Sequence, residues 1–190
     1  MIGALFWISS PSIIHGWKST KPDCLWPSAP RTMQKHSALV RTSMDFDSAV
    51  KLKLYEMVAR NAVMPDSAEI AGELGEPIEA IEESFKRLTA KRLLVLEPGS
   101  DSQIRMAPPF SGIPTAFQVE TEGKSYYANC AWDAFGVAAA LHADAAIHAS
   151  DGFTGEPIQL AVKDGKPVPA QTVAHFAVPA AHWWDDIIFT

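Results

Sequence analysis

The chain has 190 residues, of which 47% are hydrophobic and 20% are charged, and its formal net charge is −6. This composition excludes a collagen-like or wholly disordered chain and is enough for one sizeable core or two small ones. The two cysteines, Cys24 and Cys130, are too few for a disulfide-rich scaffold or a zinc site made of cysteines alone. The acidic balance also argues against broad nucleic-acid binding.

The amino-terminal 43 residues differ in charge from the rest of the chain. Residues 1–43 have a net charge of +4, whereas residues 44–97 have −4 and residues 98–190 have −6. After a short apolar opening this stretch is rich in Pro, Ser and Lys and has no hydrophobic period, which is typical of disorder. We predict that it is a disordered extension or a mis-assigned start, with the native chain beginning near Met44. Cys24 would then be an exposed thiol without function.

The apolar opening does not have the features of a targeting or membrane segment. No positive charge precedes it, and it is far shorter than the roughly 18 apolar residues that a membrane helix requires. We therefore expect a cytoplasmic protein with no membrane partner.

Residues 44–107 are predicted to form a small helical domain. Apolar spacing predicts a first helix over 46–60 and a second over 67–74, which Asp66 or Ser67 caps. A third helix starts at Pro77, and a strand, a Pro-Gly turn and a second strand follow it. This order is winged-helix-like.

A winged helix can bind DNA through its third helix or serve only as a packing module. The first half of this helix exposes Glu79, Glu82 and Glu83, where contacts to phosphates and bases would be made. Its basic residues stand at its end, where they suit the helix dipole: Lys86, Arg87, Lys91 and Arg92. Nucleic-acid binding is therefore the weaker alternative.

Residues 108–190 are predicted to form a β-rich domain with one central helix. A Pro-rich connection leads into two strands joined by a tight turn, and an Ala-rich buried helix follows at residues 130–143. Three or four strands come next, and HWWDDIIFT at the end of the chain is predicted to be a further strand. Trp183 and Trp184 are expected in the core or in an interface. The fold class is α+β.

Cys130 and Asp133 are the candidate reactive residues. Their spacing of three puts both on one face at the start of the predicted helix. A helix amino terminus lowers a thiol pKa, so Cys130 could be a nucleophile or a soft-metal ligand, and Asp133 could hold or relay a proton. The alternative is a small buried cysteine next to an ordinary helix-start charge. The histidines have no metal-binding spacing, and surface or core roles are favoured for them.

Three short elements resemble the organomercurial (alkylmercury) lyases, and the resemblance extends over residues 46–190. The elements are F-S-x-x-P-T, C-A-x-D and T-G-x-P, which correspond here to Phe110, Ser111, Pro114 and Thr115, to Cys130, Ala131 and Asp133, and to Thr154, Gly155 and Pro157. The resemblance implies a winged-helix-like domain at residues 44–107, followed by an alkylmercury-lyase-like catalytic domain at residues 108–190.

The resemblance also implies a reaction, which is the protonolysis of a carbon–mercury bond in bacterial detoxification. The Cys130 thiolate would bind mercury, since thiolates are soft ligands, and Asp133 would protonate the departing carbon and help to hold the metal. A second cysteine near the carboxyl terminus completes the thiolate pair in the family, and exogenous thiols remove the inorganic mercury. No organic cofactor is implied.

Two positions depart from the family pattern. The stretch that should carry the second cysteine, WDDIIFT, has none, so we expect either a chain truncated at Thr190 or a divergent single-thiol relative. Asn129 stands where the family usually has an aromatic residue. Three hypotheses remain: a lyase-like enzyme acting on a small organometal, a non-catalytic metal or small-ligand binding protein on the same fold, and a winged-helix metal-responsive regulator. No oligomeric state is predicted.

Overall fold

The structure is a computed structural model that describes residues 7–9, 45–170 and 173–188. Of the predicted amino-terminal extension, it describes Trp7–Ser9, which form a short strand. The other predictions for residues 1–43, including that for Cys24, and those that concern Thr190 lie outside the described residues.

Three helices open the main body of the chain at the predicted places. They are α1 (Phe46–Asn61), α2 (Ser67–Leu74) and α3 (Ile78–Ala90). Asp66 caps α2 in a reciprocal capping box, in which Glu69 N–H donates to Asp66 Oδ1 over 2.9 Å and Asp66 N–H donates to Glu69 Oε2 over 2.9 Å. Gly75 ends α2 with a left-handed φ of 71°, which glycine adopts without strain. The predicted helices are confirmed.

The strands form antiparallel sheets. In chain order they are β1 (Trp7–Ser9), β2 (Val95–Leu96), β3 (Ile104–Ala107), β4 (Phe110–Ser111), β5 (Gln118–Thr121), β6 (Lys124–Tyr127), β7 (Ala145–Ser150), β8 (Pro157–Lys163), β9 (Lys166–Val168) and β10 (Val173–His175). The strand orders are β1-β10, β2-β3-β4 and β6-β5-β7-β8-β9. Helix α4 (Ala131–Leu141) contacts β5 and β7 of the five-stranded sheet. Helices with antiparallel sheets confirm the predicted α+β class.

The last described element differs from its prediction. Ala180–Asp185 form a 3-10 helix instead of part of a strand. Pro179 precedes it, and its carbonyl accepts a turn hydrogen bond from His182 N–H over 2.8 Å. The indole of Trp183 donates to the Val178 carbonyl over 2.8 Å, which anchors the turn locally. Proline and these local hydrogen bonds outweigh the β-propensity of the apolar stretch.

Helix α1 is fastened to the β-rich part of the chain. Tyr55 Oη donates to the Pro108 carbonyl over 2.8 Å, and Tyr126 Oη donates to the Ala59 carbonyl over 2.9 Å. The Phe110 ring lies between these two tyrosines, with centroid distances of 6.1 Å to Tyr55 and 5.7 Å to Tyr126. The buried apolar side chains of both parts form one continuous cluster. Packing against α1 therefore fixes the segment at residues 108–110, which leads to the candidate site.

A buried carboxylate joins α1 to α3. Asp47 is 8% exposed and accepts hydrogen bonds from Ser84 Oγ at 2.9 Å, Arg87 Nη2 at 2.8 Å and Lys91 Nζ at 3.0 Å. These partners, Arg87 first, lower the pKa of Asp47 to about 2. Arg87 and Lys91, at the end of α3, thus hold α3 to α1 in addition to any interaction with the helix dipole.

Candidate active site

Cys130 lies at the junction between a strand and a helix. It is the residue that precedes α4, and its extended backbone has φ −153° and ψ −179°. Just upstream, the Thr115 hydroxyl donates to the Ala128 carbonyl over 2.6 Å, which ties the end of β6 to the preceding loop. Asp133 follows in the first turn of α4. The sequence pattern thus places the thiol and the carboxyl at one helix start.

Asn129 completes a hydrogen-bonded row of three side chains. Its Nδ2 donates to Asp133 Oδ2 over 2.9 Å, and it also lies 3.3 Å from the Phe110 carbonyl and 3.4 Å from the Pro109 carbonyl. The Cys130 thiol hydrogen-bonds to the same Asp133 carboxyl group. Asp133 therefore lies between an amide that is held by backbone carbonyls and the thiol.

The electrostatics at Cys130 differ from the sequence expectation. Burial, followed by the charge of Asp133, raises the pKa of the thiol to about 11. The backbone N–H groups of Asp133 and Trp132 favour the thiolate, as expected at a helix start, but they are outweighed. The prediction of a lowered thiol pKa is wrong, because sequence spacing does not reveal how deeply the thiol is buried or that its partner is an anion.

The pKa of Asp133 is shifted in the direction opposite to those of Asp45, Asp47, Glu73 and Asp151, which are lowered. Burial raises its pKa, while hydrogen bonds from Asn129 and Cys130 act to lower it. No Lys or Arg side chain lies within ion-pair distance of it in the described part of the chain. Burial, with a smaller contribution from the charge of Asp133, also raises the pKa of Tyr55 to about 12. A partly buried thiol and carboxyl in hydrogen-bond contact, both with raised pKa values, are suited to proton transfer.

These groups open into a cavity of about 360 Å³. Its lining comes from the end of α3, strands β2 and β3, the start of α4 and the carboxyl-terminal turn: Arg92, Val95, Met106, Pro108, Asn129, Cys130, Trp132, Asp133, Trp183, Trp184 and Ile187. A larger cavity of about 950 Å³ lies along α4 and the β8–β9 hairpin, but neither Cys130 nor Asp133 lines it. The smaller cavity is therefore the candidate active site.

The cavity contains residues that sequence reasoning did not place there. The sequence predicts Trp183 and Trp184 in the core or in an interface, and it places Arg92 among the basic residues that suit the helix dipole. The Arg92 guanidinium lies over the Trp184 ring, with 5.6 Å between Cζ and the ring centroid. Trp132, which is 68% exposed, belongs to the same lining. These residues are far apart in the chain, so no local pattern could have brought them together.

The other residues of the three sequence elements lie in the core, in backbone hydrogen bonds or in a turn. Phe110 is 2% exposed in the core, and the Ser111 hydroxyl donates to the Ile113 carbonyl over 2.8 Å. Thr154 and Gly155 lie in the turn between β7 and β8, where the Asp151 carboxylate accepts the Thr154 N–H over 2.8 Å. This turn does not line the cavity that holds Cys130. Of the three elements, F-S-x-x-P-T and C-A-x-D adjoin the candidate site.

Within residues 45–170 and 173–188, no three His, Cys, Asp or Glu side chains come together in a way that could hold a metal ion. Over the same part of the chain, no helix combines the length and the hydropathy needed to cross a membrane.

Comparisons with known proteins find a family model and solved structures that are similar to this chain. The family model described as alkylmercury lyase (MerB) matches residues 110–190. A crystal structure of the mercury-bound form of MerB2 is similar, with a TM-score of 0.51 and 24% sequence identity, over 73% of this chain and 79% of that chain. Comparison with curated proteins gives no match. The resemblance to the organomercurial lyase family is therefore confirmed, through the family model at residues 110–190 and through the fold that the chain shares with MerB2.

Proposed function

We propose that this protein is an organomercurial-lyase-like enzyme that cleaves a carbon–mercury bond by protonolysis, with Cys130 and Asp133 as its catalytic residues. The observation that carries the proposal is the hydrogen bond between the Cys130 thiol and the Asp133 carboxyl, two partly buried groups in the lining of one cavity. Among the described residues, no Lys or Arg lies within ion-pair distance of that carboxyl. The family match over residues 110–190 supports it.

The first step is capture of the organomercurial. The substrate arrives as an R–Hg–thiolate, and the Cys130 sulfur replaces that thiolate on mercury, forming Cys130–S–Hg–R. Because the pKa of the thiol is about 11, Cys130 must lose its proton as the sulfur–mercury bond forms. Asp133, hydrogen-bonded to the thiol, accepts this proton, and its raised pKa favours the transfer.

The second step is cleavage. The carbon–mercury bond breaks with its electron pair on carbon, and the Asp133 proton forms the new carbon–hydrogen bond. The products are the hydrocarbon R–H and Hg²⁺ on the Cys130 sulfur, with the ionised Asp133 carboxylate as a second ligand. Exogenous thiols then remove the mercury and leave a proton on Cys130, so that the cycle closes.

The family's second thiol has no counterpart among the described residues, where Cys130 is the sole cysteine. We propose that an exogenous thiol supplies the second sulfur ligand. This single-thiol site makes product release easy and tight mercury retention difficult, since each soft sulfur ligand adds to the affinity for mercury.

We further infer that α1–α3 with β2 and β3 form a winged-helix-like unit that packs against the catalytic part rather than binding DNA, in a cytoplasmic protein. Ion pairs support this role: Arg87 and Lys91 are paired with Asp47, and Lys86 is paired with Glu83 and Asp101. Few cations on α3 are left for phosphates.

The proposal is tested by incubating the purified protein with phenylmercury and excess thiol and measuring the benzene released. We expect repeated turnover in the wild type and none in Cys130→Ser. Equal benzene release from both proteins would contradict the proposal.

A second candidate is non-catalytic mercury capture on the same fold. The single described thiol and its high pKa favour this alternative. Stoichiometric mercury binding that depends on Cys130, with no benzene above the Cys130→Ser background, would establish it in place of the enzyme.

A further inference from the structure

Arg92 is the cationic residue in the lining of the Cys130 cavity. It follows α3 with a left-handed φ of 60°, and its side chain is exposed. Its guanidinium lies over the Trp184 ring at 5.6 Å. A guanidinium has five N–H donors, and a cation–π contact with one ring leaves most of them available for hydrogen bonds.

The other basic residues at the end of α3 have ionic partners. Lys86 pairs with Asp101 at 3.2 Å, while Arg87 and Lys91 both pair with Asp47. For Arg92, no carboxylate of the described residues lies within ion-pair distance. A cation that is oriented by an aromatic ring, unpaired and part of a cavity lining is a candidate anion-binding group.

Apart from Arg92, Asn129 and Asp133, the cavity is lined mainly by apolar and aromatic side chains. Trp132, Trp183 and Trp184 contribute aromatic surface, and Met106 adds a polarizable thioether. Aromatic rings favour offset or edge-to-face contact with another ring, and a thioether also packs well on ring edges. The volume of about 360 Å³ is within the range of small-molecule sites, which is about 300–1,000 Å³.

We propose that the site selects aryl mercurials that carry a carboxylate, with the carboxylate bound by Arg92, the ring held between the tryptophans and mercury delivered to Cys130. The inference rests on the proposed function, because it takes an organomercurial as the ligand of Cys130. Arg92 and Trp184 would recognise the organic group, whereas Cys130 and Asp133 would break the carbon–mercury bond.

The experiment separates recognition from cleavage. A full-length Cys24→Ser background leaves Cys130 as the single thiol of the chain. Equimolar phenylmercury and 4-carboxyphenylmercury are offered together, with excess 2-mercaptoethanol as a neutral thiol that keeps exchange reversible. Native mass spectrometry then gives the ratio of the two adducts on Cys130 before cleavage, and benzene and benzoate are measured separately. Arg92→Gln is the test variant, and Arg60→Gln, which removes an exposed arginine paired with Glu73, is the matched control.

We expect the carboxyphenyl adduct to predominate in the background protein and in Arg60→Gln. In Arg92→Gln its advantage should fall by about 1.4-fold to fivefold, the range for one exposed ion pair. The advantage should also shrink at high salt because exposed charges are screened. An adduct ratio that is the same in Arg92→Gln and Arg60→Gln would overturn the inference. If the ratio shifts as expected but neither benzene nor benzoate is released, recognition stands and the proposed lyase activity fails.

Discussion

Asp47 and Asp133 are two shielded carboxyl groups in opposite electrostatic settings. Asp47 accepts hydrogen bonds from Arg87, Lys91 and Ser84, and its pKa falls to about 2. Asp133 has an amide and a thiol as its partners, and burial raises its pKa. The first group is a permanent anion that fastens two helices. The second has a raised pKa, so it takes up a proton at higher pH than the first.

The difference shows how to recognise a reactive carboxyl in this fold. A buried charge that is fully paired contributes to structure, whereas one left without a cation is costly to keep ionised and is therefore ready to accept a proton. In the proposed reaction, Asp133 takes its proton from the neighbouring Cys130 thiol and transfers it to the carbon that leaves mercury. We therefore expect substitution of Asp47 to lower the free energy of unfolding and substitution of Asp133 to lower the rate of carbon–mercury cleavage.

The largest effect is expected from Asp133→Asn. It should lower the rate of benzene release from phenylmercury by at least about 100-fold, because general acids contribute about 10²–10⁴-fold. Its free energy of unfolding should stay within about 1 kcal/mol of the wild type or rise, since a raised carboxyl pKa means that the ionised form costs stability at neutral pH. Steady-state benzene release and urea denaturation measure the two quantities. A loss of several kcal/mol would show a structural role instead.

Asp47→Asn should show the reverse pattern. A pKa lowered from 3.8 to about 2 stabilises the fold above pH 3.8, and that stabilisation is lost as the pH falls through about 2. The variant should therefore lose about 2 kcal/mol of unfolding free energy at pH 7, with little change near pH 2. Urea denaturation of both proteins at the two pH values measures this. An equal loss of unfolding free energy at pH 7 and at pH 2 would contradict the electrostatic explanation.

A smaller, severalfold effect is expected on the reactivity of Cys130. Asp133→Asn removes a negative charge that raises the thiol pKa, so alkylation of Cys130 by iodoacetamide at pH 8 should become faster. The rate is followed in a Cys24→Ser background by mass spectrometry, with Asp47→Asn as the control for a lost carboxylate elsewhere. Slower alkylation in Asp133→Asn would mean that proton acceptance by the carboxyl outweighs the effect of its charge on the thiol pKa.

The smallest effect is expected from Asn129→Leu. It removes the 2.9 Å hydrogen bond to Asp133, and because that bond lowers the carboxyl pKa, Asp133 should titrate at higher pH in the variant. The stability loss should be about 1 kcal/mol, which is typical of one hydrogen bond. Carbon NMR of the Asp133 carboxyl measures the titration. The matched amide control is Gln118→Leu, which removes an exposed hydrogen bond to Ser125. An unchanged titration would show that Asn129 does not tune Asp133.

Features set by neighbouring residues could be predicted from the sequence, whereas contacts between distant segments could not. Apolar periodicity, the Asp66 cap and Gly75 define α2 within a few residues, so α2 lies where its pattern places it. The Cys130–Asp133 spacing likewise predicts two groups at one helix start. Cys130 shares its cavity with side chains from several distant segments, such as Trp183. Burial, which the local sequence does not reveal, is the main reason that the thiol pKa is raised rather than lowered. Arg92 was missed because its relation to Trp184 exists only after folding.

The most direct test is a single turnover that measures capture and cleavage together. One equivalent of phenylmercury is mixed with the Cys24→Ser protein, and with Asp47→Asn and Asp133→Asn in the same background, and both mercury on Cys130 and benzene are measured. The two proteins that retain Asp133 should release one benzene for each mercury captured. The Asp133→Asn protein should retain intact phenylmercury on Cys130. Benzene release by Asp133→Asn at the rate of the Asp47→Asn protein would contradict the assignment of Asp133 as the proton donor.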